Sequence, residues 1–413
     1  MVLQDSDRYL SPQGENTFGF WMQTIADLQF LELELKSLAK DYEINVYERN
    51  VKLEGDLESI RRKIGHLERV GNKPTIYSSL VDKFNDSSAY AFHNLYPYKG
   101  KFYPRIPRVF INAFKLKPGD LILDPFNGSG TTTHEASLMG INSVGIDITQ
   151  MGVWLAELKN ELPHLNADDL TFSMEEMAKI YKEIHTKTWH HPNPIIHKLM
   201  LVLYFDTSDA FTRTTRYKKL GETGLFYKKC VYLLDCYKKL MTIKEEEDLE
   251  FAKADVIHGD ILDLKKFKWM NEKFDAVITS PPYYFSIDYV GKDKVAYDYL
   301  DVDMKEVKSK YIGMKNSGKK LKHLKLPPKV LTYYEDLRES IENIYWSLKR
   351  GGNLSLIIGD STLKGEKLPT TKMTLEFCKD SGFKVNKLIF NPLLGARNRA
   401  IRGESTILCT KPE

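Results

Sequence analysis

The 413-residue sequence is poor in cysteine: it has only Cys230, Cys236, Cys378 and Cys409, and no two of them form a CxxC pair. No histidine group stands at zinc spacing beside them. A disulfide framework and a zinc module are therefore not expected, and the thiols read as reduced and packed in a cytoplasmic protein. Long apolar runs are also missing. None approaches the ~20 residues that cross a bilayer. The opening MVLQDSDRYL has no basic stretch followed by an apolar one, so no signal peptide is expected. Charge of one sign is scarce as well: 60 Lys and Arg face 56 Asp and Glu, leaving +4. Nucleic-acid binding must then rest on local clusters rather than on overall charge.

What is present is an ordinary globular composition, 42% hydrophobic and 28% charged. At roughly 100–200 residues per domain, the chain predicts two or three structural units. Residues 1–20 read as an irregular lead-in. From Met22 to Val70 apolar residues recur at three- and four-residue steps: Leu28, Leu31, Leu35, Leu38 and Tyr42, then Leu53, Leu57, Ile60, Ile64 and Leu67. That spacing predicts a long helix or helical hairpin with an apolar seam, packed on its own domain or forming a coiled-coil arm between two copies. Asn72-Lys73-Pro74 breaks the pattern. The organisation expected is a helical N-terminal region, 1–80, followed by an α/β domain, 81–413.

In the second region strands and helices alternate. Leu121–Asp124 reads as a first strand, Thr131–Leu138 as a helix and Ser143–Asp147 as a second strand. A mostly helical insertion, 150–250, delays the third strand, Ala254–Ile257. Asp275–Thr279 is the fourth. A lysine-rich insertion spans 286–330. A helix over Tyr334–Leu348 follows, then strands at Leu354–Ile358, Leu388–Asn391 and Ser405–Cys409. This alternation predicts a Rossmann-like, parallel, doubly wound sheet with helices on both faces. Such sheets bind ligands beyond the carboxyl ends of their strands.

Three of those ends carry chemistry. The first continues as Asp124-Pro125-Phe126-Asn127-Gly128-Ser129-Gly130-Thr131-Thr132. Its glycines permit a tight turn and close backbone approach, and the helix that follows offers free N–H groups to a carboxylate or phosphate. It is neither GxGxxG nor GxxxxGK[ST]. Asp147 closes the second strand, where an acid accepts from ribose hydroxyls. The fourth strand runs into Ser280-Pro281-Pro282-Tyr283, a rigid turn. Ser280 has no GxSxG context, which argues against a hydrolase nucleophile.

Together these turns resemble the amino-methyltransferases of DNA, over most of residues 90–410. In that family a DPFxGxGTT-like turn binds S-adenosylmethionine and a [DNS]PP[YFW] turn is catalytic; both patterns match fully here. His93-Asn94-Leu95-Tyr96-Pro97-Tyr98-Lys99-Gly100-Lys101-Phe102-Tyr103-Pro104 resembles the family's extra cofactor-side motif, written around HxYPxKF. Its spacing here is longer, so Lys99 and Lys101 compete for the lysine position. The cofactor turn precedes the catalytic turn, unlike the common order of cytosine-N4 enzymes, whereas the SPPY variant resembles those enzymes. Adenine-N6 enzymes more often carry Asp or Asn at its first position.

The resemblance implies a site-specific transferase that methylates cytosine N4 in duplex DNA, in a restriction–modification or related setting and with a cognate endonuclease as partner. Adenine N6 and an RNA base amine are the alternatives. Catalysis is expected from Ser280, Pro281, Pro282 and Tyr283, and cofactor binding from Tyr98, Lys101, Asp124–Thr132, Asp147 and Asp260, the last either contacting the cofactor's adenine or capping its own turn. No metal is implied. Phosphate contacts are expected from Arg213, Arg216, Lys319, Lys320 and Lys322, while Arg397, Arg399 and Arg402 either hold phosphate or line the target-base pocket. The insertions 150–250 and 286–330 are the candidate target-recognition segments.

Overall fold

Thr24 opens the first helix, its backbone N–H donating to Asp27 at 2.7 Å. The computed structural model describes residues 16–81, 90–98, 100–284, 291–314, 318–363, 366–392 and 403–413. Its N-terminal part opens with a helix on a small sheet, β1 (Thr17–Gly19), α1 (Ile25–Leu38), β2 (Asp41–Asn45) and β3 (Asn50–Glu54), with strand order β1-β3-β2, and continues into short helices over Leu57–Lys63 and Ile76–Leu80.

The expected long helix therefore stops at Leu38. Asn45 accepts from the backbone N–H groups of Tyr47 and Glu48, both at 3.1 Å, and so turns the chain into a hairpin. In β3, Val51 and Leu53 are buried while Lys52 is exposed, a period of two that overrides the four-residue step from Leu53 to Leu57. The seam is real, but it closes within the chain. Leu31 and Leu35 pack with Val51, Leu53, Ile60, Ile64 and Leu67. That face is covered by its own strands. Fully buried Glu34 ties this part to the rest: it accepts from Gly65 N at 2.8 Å, Asn112 Nδ2 at 2.8 Å and His66 Nδ1 at 2.7 Å.

Asn112 lies on α2 (Arg105–Ala113), which leads into β4 (Leu121–Asp124), α3 (Thr131–Leu138), β5 (Asn142–Asp147) and α4 (Gln150–Glu161). The insertion is helical as expected, with α5 (Met174–His185), α6 (Pro194–Arg213) and α7 (Gly221–Glu246). Then come β6 (Ala254–His258), β7 (Phe274–Thr279), α8 (Pro328–Ser347), β8 (Leu348–Gly359), α9 (Thr370–Asp380), β9 (Lys384–Pro392) and β10 (Gly403–Thr410). The helix expected from Tyr334 begins at Pro328, where a proline suits a first helical turn. The strand expected from Leu354 begins at Leu348: a register shift between Leu348 and Asn353 takes up Gly351, at φ +72°, and Gly352 inside the strand rather than as a turn before it.

The seven-stranded sheet has the order β9-β10-β8-β7-β4-β5-β6. The five strands from β8 to β6 are parallel, and β10 is antiparallel to both its neighbours. From β4 the chain winds outward through β5 and β6. It then returns to lay β7 on the other side of β4 and winds outward again to β8. The order reverses between β4 and β7, and a doubly wound sheet leaves its crevice at that point.

Candidate active site

Both signature turns leave the sheet at this reversal. Asp124 ends β4, is 1% exposed, and accepts from Thr279 Oγ1 at 2.6 Å, the last residue of β7. Its second donor is Phe126 N at 3.1 Å. Burial pushes the Asp124 carboxyl up to about 6. Thr132 Oγ1 adds a bond to Ile278 O at 3.2 Å. The glycine turn and the Ser280–Tyr283 turn are thus bonded neighbours.

The turn itself is closed from within. Asn127 N donates to Ile146 O at 2.9 Å and Gly130 N to Asn127 O at 2.8 Å. The Asn127 amide lies across Gly145 of β5, where a Cβ would come within 2.3 Å of it. Gly130, at φ +75°, lets α3 start against α4, since a Cβ there would stand 2.7 Å from Ala156 Cβ. Asp147 accepts from Gly128 N at 2.7 Å, Thr149 N at 2.8 Å and Thr149 Oγ1 at 2.5 Å. Asp260 caps the turn after β6 by accepting from Leu262 N at 2.9 Å. The adjoining Gly259 N reaches Asp147 O at 3.0 Å.

The aromatic motif before α2 is laid over this turn. Tyr98 rests on Gly128: a Cβ there would be 3.1 Å from Tyr98 Cε1. The segment is anchored by His93, whose Nε2 lies 2.9 Å from Glu135 on α3. Tyr90 OH at 2.5 Å and Arg108 Nε at 3.0 Å donate to the same carboxylate. Lys101 turns back to His93 O at 2.7 Å, and burial lowers it to about 8. Lys99 lies outside the described residues.

On the other side Ser280 is half-buried and Pro281 buried. Pro282 O accepts from Tyr333 OH at 3.0 Å. Tyr283 is 8% exposed, and its phenol donates to Glu404 Oε1 at 2.9 Å.

Comparison with known proteins places this geometry. The DNA methylase family matches residues 5–157, and the RMKL-like methyltransferase domain matches residues 95–323, more than half of the chain. The chain belongs to the RMKL-like methyltransferase family, and its first part matches the DNA methylase family. Among curated relatives, the chain is 25% identical over 326 residues to the Type II methyltransferase M.BsoBI of Geobacillus stearothermophilus, covering 65% of this chain and 64% of that protein. It is 28% identical over 197 residues to the Type II methyltransferase M.MjaII of Methanocaldococcus jannaschii, covering 47% and 32%. A 51-residue stretch is 47% identical to a tRNA (guanine(10)-N2)-dimethyltransferase of Methanothermobacter thermautotrophicus, 12% of this chain and 15% of that one. The chain spans less than two thirds of the length of each of these relatives.

The family's cofactor is S-adenosylmethionine, and the residues present fit it. Gly128, at φ +50°, lets the Tyr98 ring lie directly on the turn and give the site an aromatic wall. The Asp147 carboxylate, with three donors already placed, keeps a lone pair for a hydroxyl. Ser129, Asn127, Thr131 and Thr132 are all buried in the turn, and Ser129 Oγ accepts from Lys159 Nζ at 3.2 Å. Pro125 and Phe126 carry the chain between Asp124 and that turn.

The expected phosphate contacts divide. Arg213 and Arg216 are exposed at the end of α6 and just beyond it; Arg213 pairs with Asp209 at 2.7 Å and Arg216 stacks on Tyr217 at 5.7 Å. Lys319, Lys320 and Lys322 are exposed on the approach to α8. Lys320 borders a groove of about 410 Å³ whose wall mixes Lys265 and Arg338 with Glu335, Glu339 and Glu342. Arg397, Arg399 and Arg402 lie outside the described residues. Sequence reasoning missed Thr279, Glu135, Lys159 and Glu404. Of these only Thr279, adjoining Ser280, carried a local signal.

Proposed function

We propose that this methyltransferase transfers a methyl group from S-adenosylmethionine to N4 of cytosine within a specific site in duplex DNA, as the modification partner of an endonuclease. One observation carries the reading: Thr279 on Asp124 puts the glycine turn and the SPPY turn side by side where the strand order reverses. Serine at position 280 supports cytosine over adenine.

Bound at the glycine turn, S-adenosylmethionine supplies an electrophilic methyl group on a sulfonium. The remaining work falls to this chain. An exocyclic amine delocalises its lone pair into the ring and is a poor nucleophile. Ser280 Oγ and the Pro281 carbonyl accept from its two N–H groups, holding the nitrogen pyramidal and strengthening as positive charge develops on it. The Pro282 carbonyl is already engaged by Tyr333, which leaves Pro281 to face the amine. The amine is hidden inside a duplex, so the base must be flipped out. Tyr283 is covered, so a base stacks on it only when the segments around the turn part.

Incubation with unmodified duplex DNA and labelled cofactor, followed by nucleoside mass spectrometry, tests the reading. N4-methylcytosine is expected; N6-methyladenine alone would move the target to adenine. A second reading, transfer to a guanine amine of transfer RNA, is supported by the 51-residue match. Label in transfer RNA and none in DNA would select it.

A further inference from the structure

Glu404 plays no part in the account above, yet it touches the centre of it. It is the second residue of β10, paired with Gly359 and with Asn391. Because β10 runs antiparallel to β8, its first residues lie at the same sheet edge as the two signature turns. The carboxyl is half-buried, its acidity weakened by that burial. Its hydrogen-bond partner among the described residues is the phenol of Tyr283, at 2.9 Å. A half-buried carboxyl costs free energy that an apolar residue facing a phenylalanine would not. What the polar pair adds is direction: the phenol oxygen is held at one point, so the ring is held at one angle. The start of the same turn is held independently, by Thr279 on Asp124 and Tyr333 on Pro282 O.

We propose that Glu404 is a positioning residue of the catalytic turn: from β10 its carboxyl fixes the far end of Tyr283, and with it the angle at which the ring meets the amine-bearing base. This rests on the base-methylation reading. Tyr283 touches the base, and Glu404 acts through it.

Fluorine spectra and single-turnover kinetics together test the proposal. In protein labelled with 3-fluorotyrosine, the Tyr283 signal among the 23 tyrosines is the one lost in Tyr283→Phe. It is expected to shift in Glu404→Ala and to stay in place in Glu404→Gln, whose amide oxygen still accepts. With tritiated S-adenosylmethionine and unmodified plasmid DNA, Glu404→Ala and Tyr283→Phe should each slow methyl transfer about tenfold, the loss of one buried hydrogen bond. Cofactor affinity should be unchanged, the double variant no slower than either single one, and Glu404→Gln should restore most of the rate. An unmoved signal, a glutamine variant as slow as the alanine one, or additive losses would overturn the proposal. A wild-type enzyme that methylated no DNA would sink the base reading and the purpose given to the tether, while the fluorine spectrum would still decide whether the tether exists.

Discussion

Thr279 Oγ1 donates to Asp124 Oδ1 at 2.6 Å across 155 residues of sequence. Two adjacent parallel strands end on this one bond, which lies under both turns of the site. Thr279→Val keeps the shape and removes the donor, leaving a buried carboxyl with less compensation. A loss of about 1–3 kcal/mol of stability is expected, with weaker cofactor binding. Urea denaturation and calorimetric titration of the cofactor would measure both; unchanged values would show that the bond contributes nothing.

The acidity of Asp124 sets a pH dependence. Burial raises its folded value to about 6 from an ordinary 3.8. Between those values the unfolded chain has already lost a proton that the folded one keeps. Stability therefore falls as pH rises from 4 to 6 and then levels off. The whole effect is at most roughly 3 kcal/mol. Asp124→Asn keeps an acceptor for Thr279 and should lose this slope, so the parent's melting temperature should rise relative to the variant's as pH falls from 6 to 4. Parallel curves would assign the slope elsewhere.

Gly130→Ala should be severe. The residue sits at φ +75°, and the added carbon would stand 2.7 Å from Ala156 Cβ. Strain and overpacking combine to more than about 2 kcal/mol. Thermal melts should show it, and cofactor affinity should drop because α3 can no longer start where it does. A variant that melts and binds like the parent would refute the packing argument.

Phosphate contacts are read from salt dependence. Each cation that meets a phosphate adds about 0.9 to the slope of log K against log salt. Arg216→Ala and Lys322→Ala should each flatten the slope by about one contact and leave sequence preference intact. Lys320→Ala should do less, because acidic residues share its groove. Fluorescence anisotropy at several salt concentrations decides among them.

Much of this protein is local. Leu121–Asp124 is a strand because three aliphatic residues lead into an acid, and Gly128 and Gly130 mark a turn because few other residues adopt its backbone. The Pro-Pro pair ends β7 by chemistry that needs no neighbour. The N-terminal seam misled because both periods fit Leu53: spacing suits a helix through Leu57, and only packing against Leu31 and Leu35 chooses the strand. Asp260 and Lys101 show the same limit, since an acid after a strand or a lysine after an aromatic motif carries no mark of what it will face.

The sequence by itself determined the strands of the large sheet, the two turns and the residue types at their tips, because backbone conformation and hydrophobic period act over a few residues. Only the tertiary structure decided that Thr279 meets Asp124, that Glu135 anchors His93 and that Glu404 holds Tyr283. Those partners stand 155, 42 and 121 residues apart. The first pair meets because the sheet reverses its order between β4 and β7, the last because β10 turns back antiparallel, and the second because the segment before α2 folds over α3.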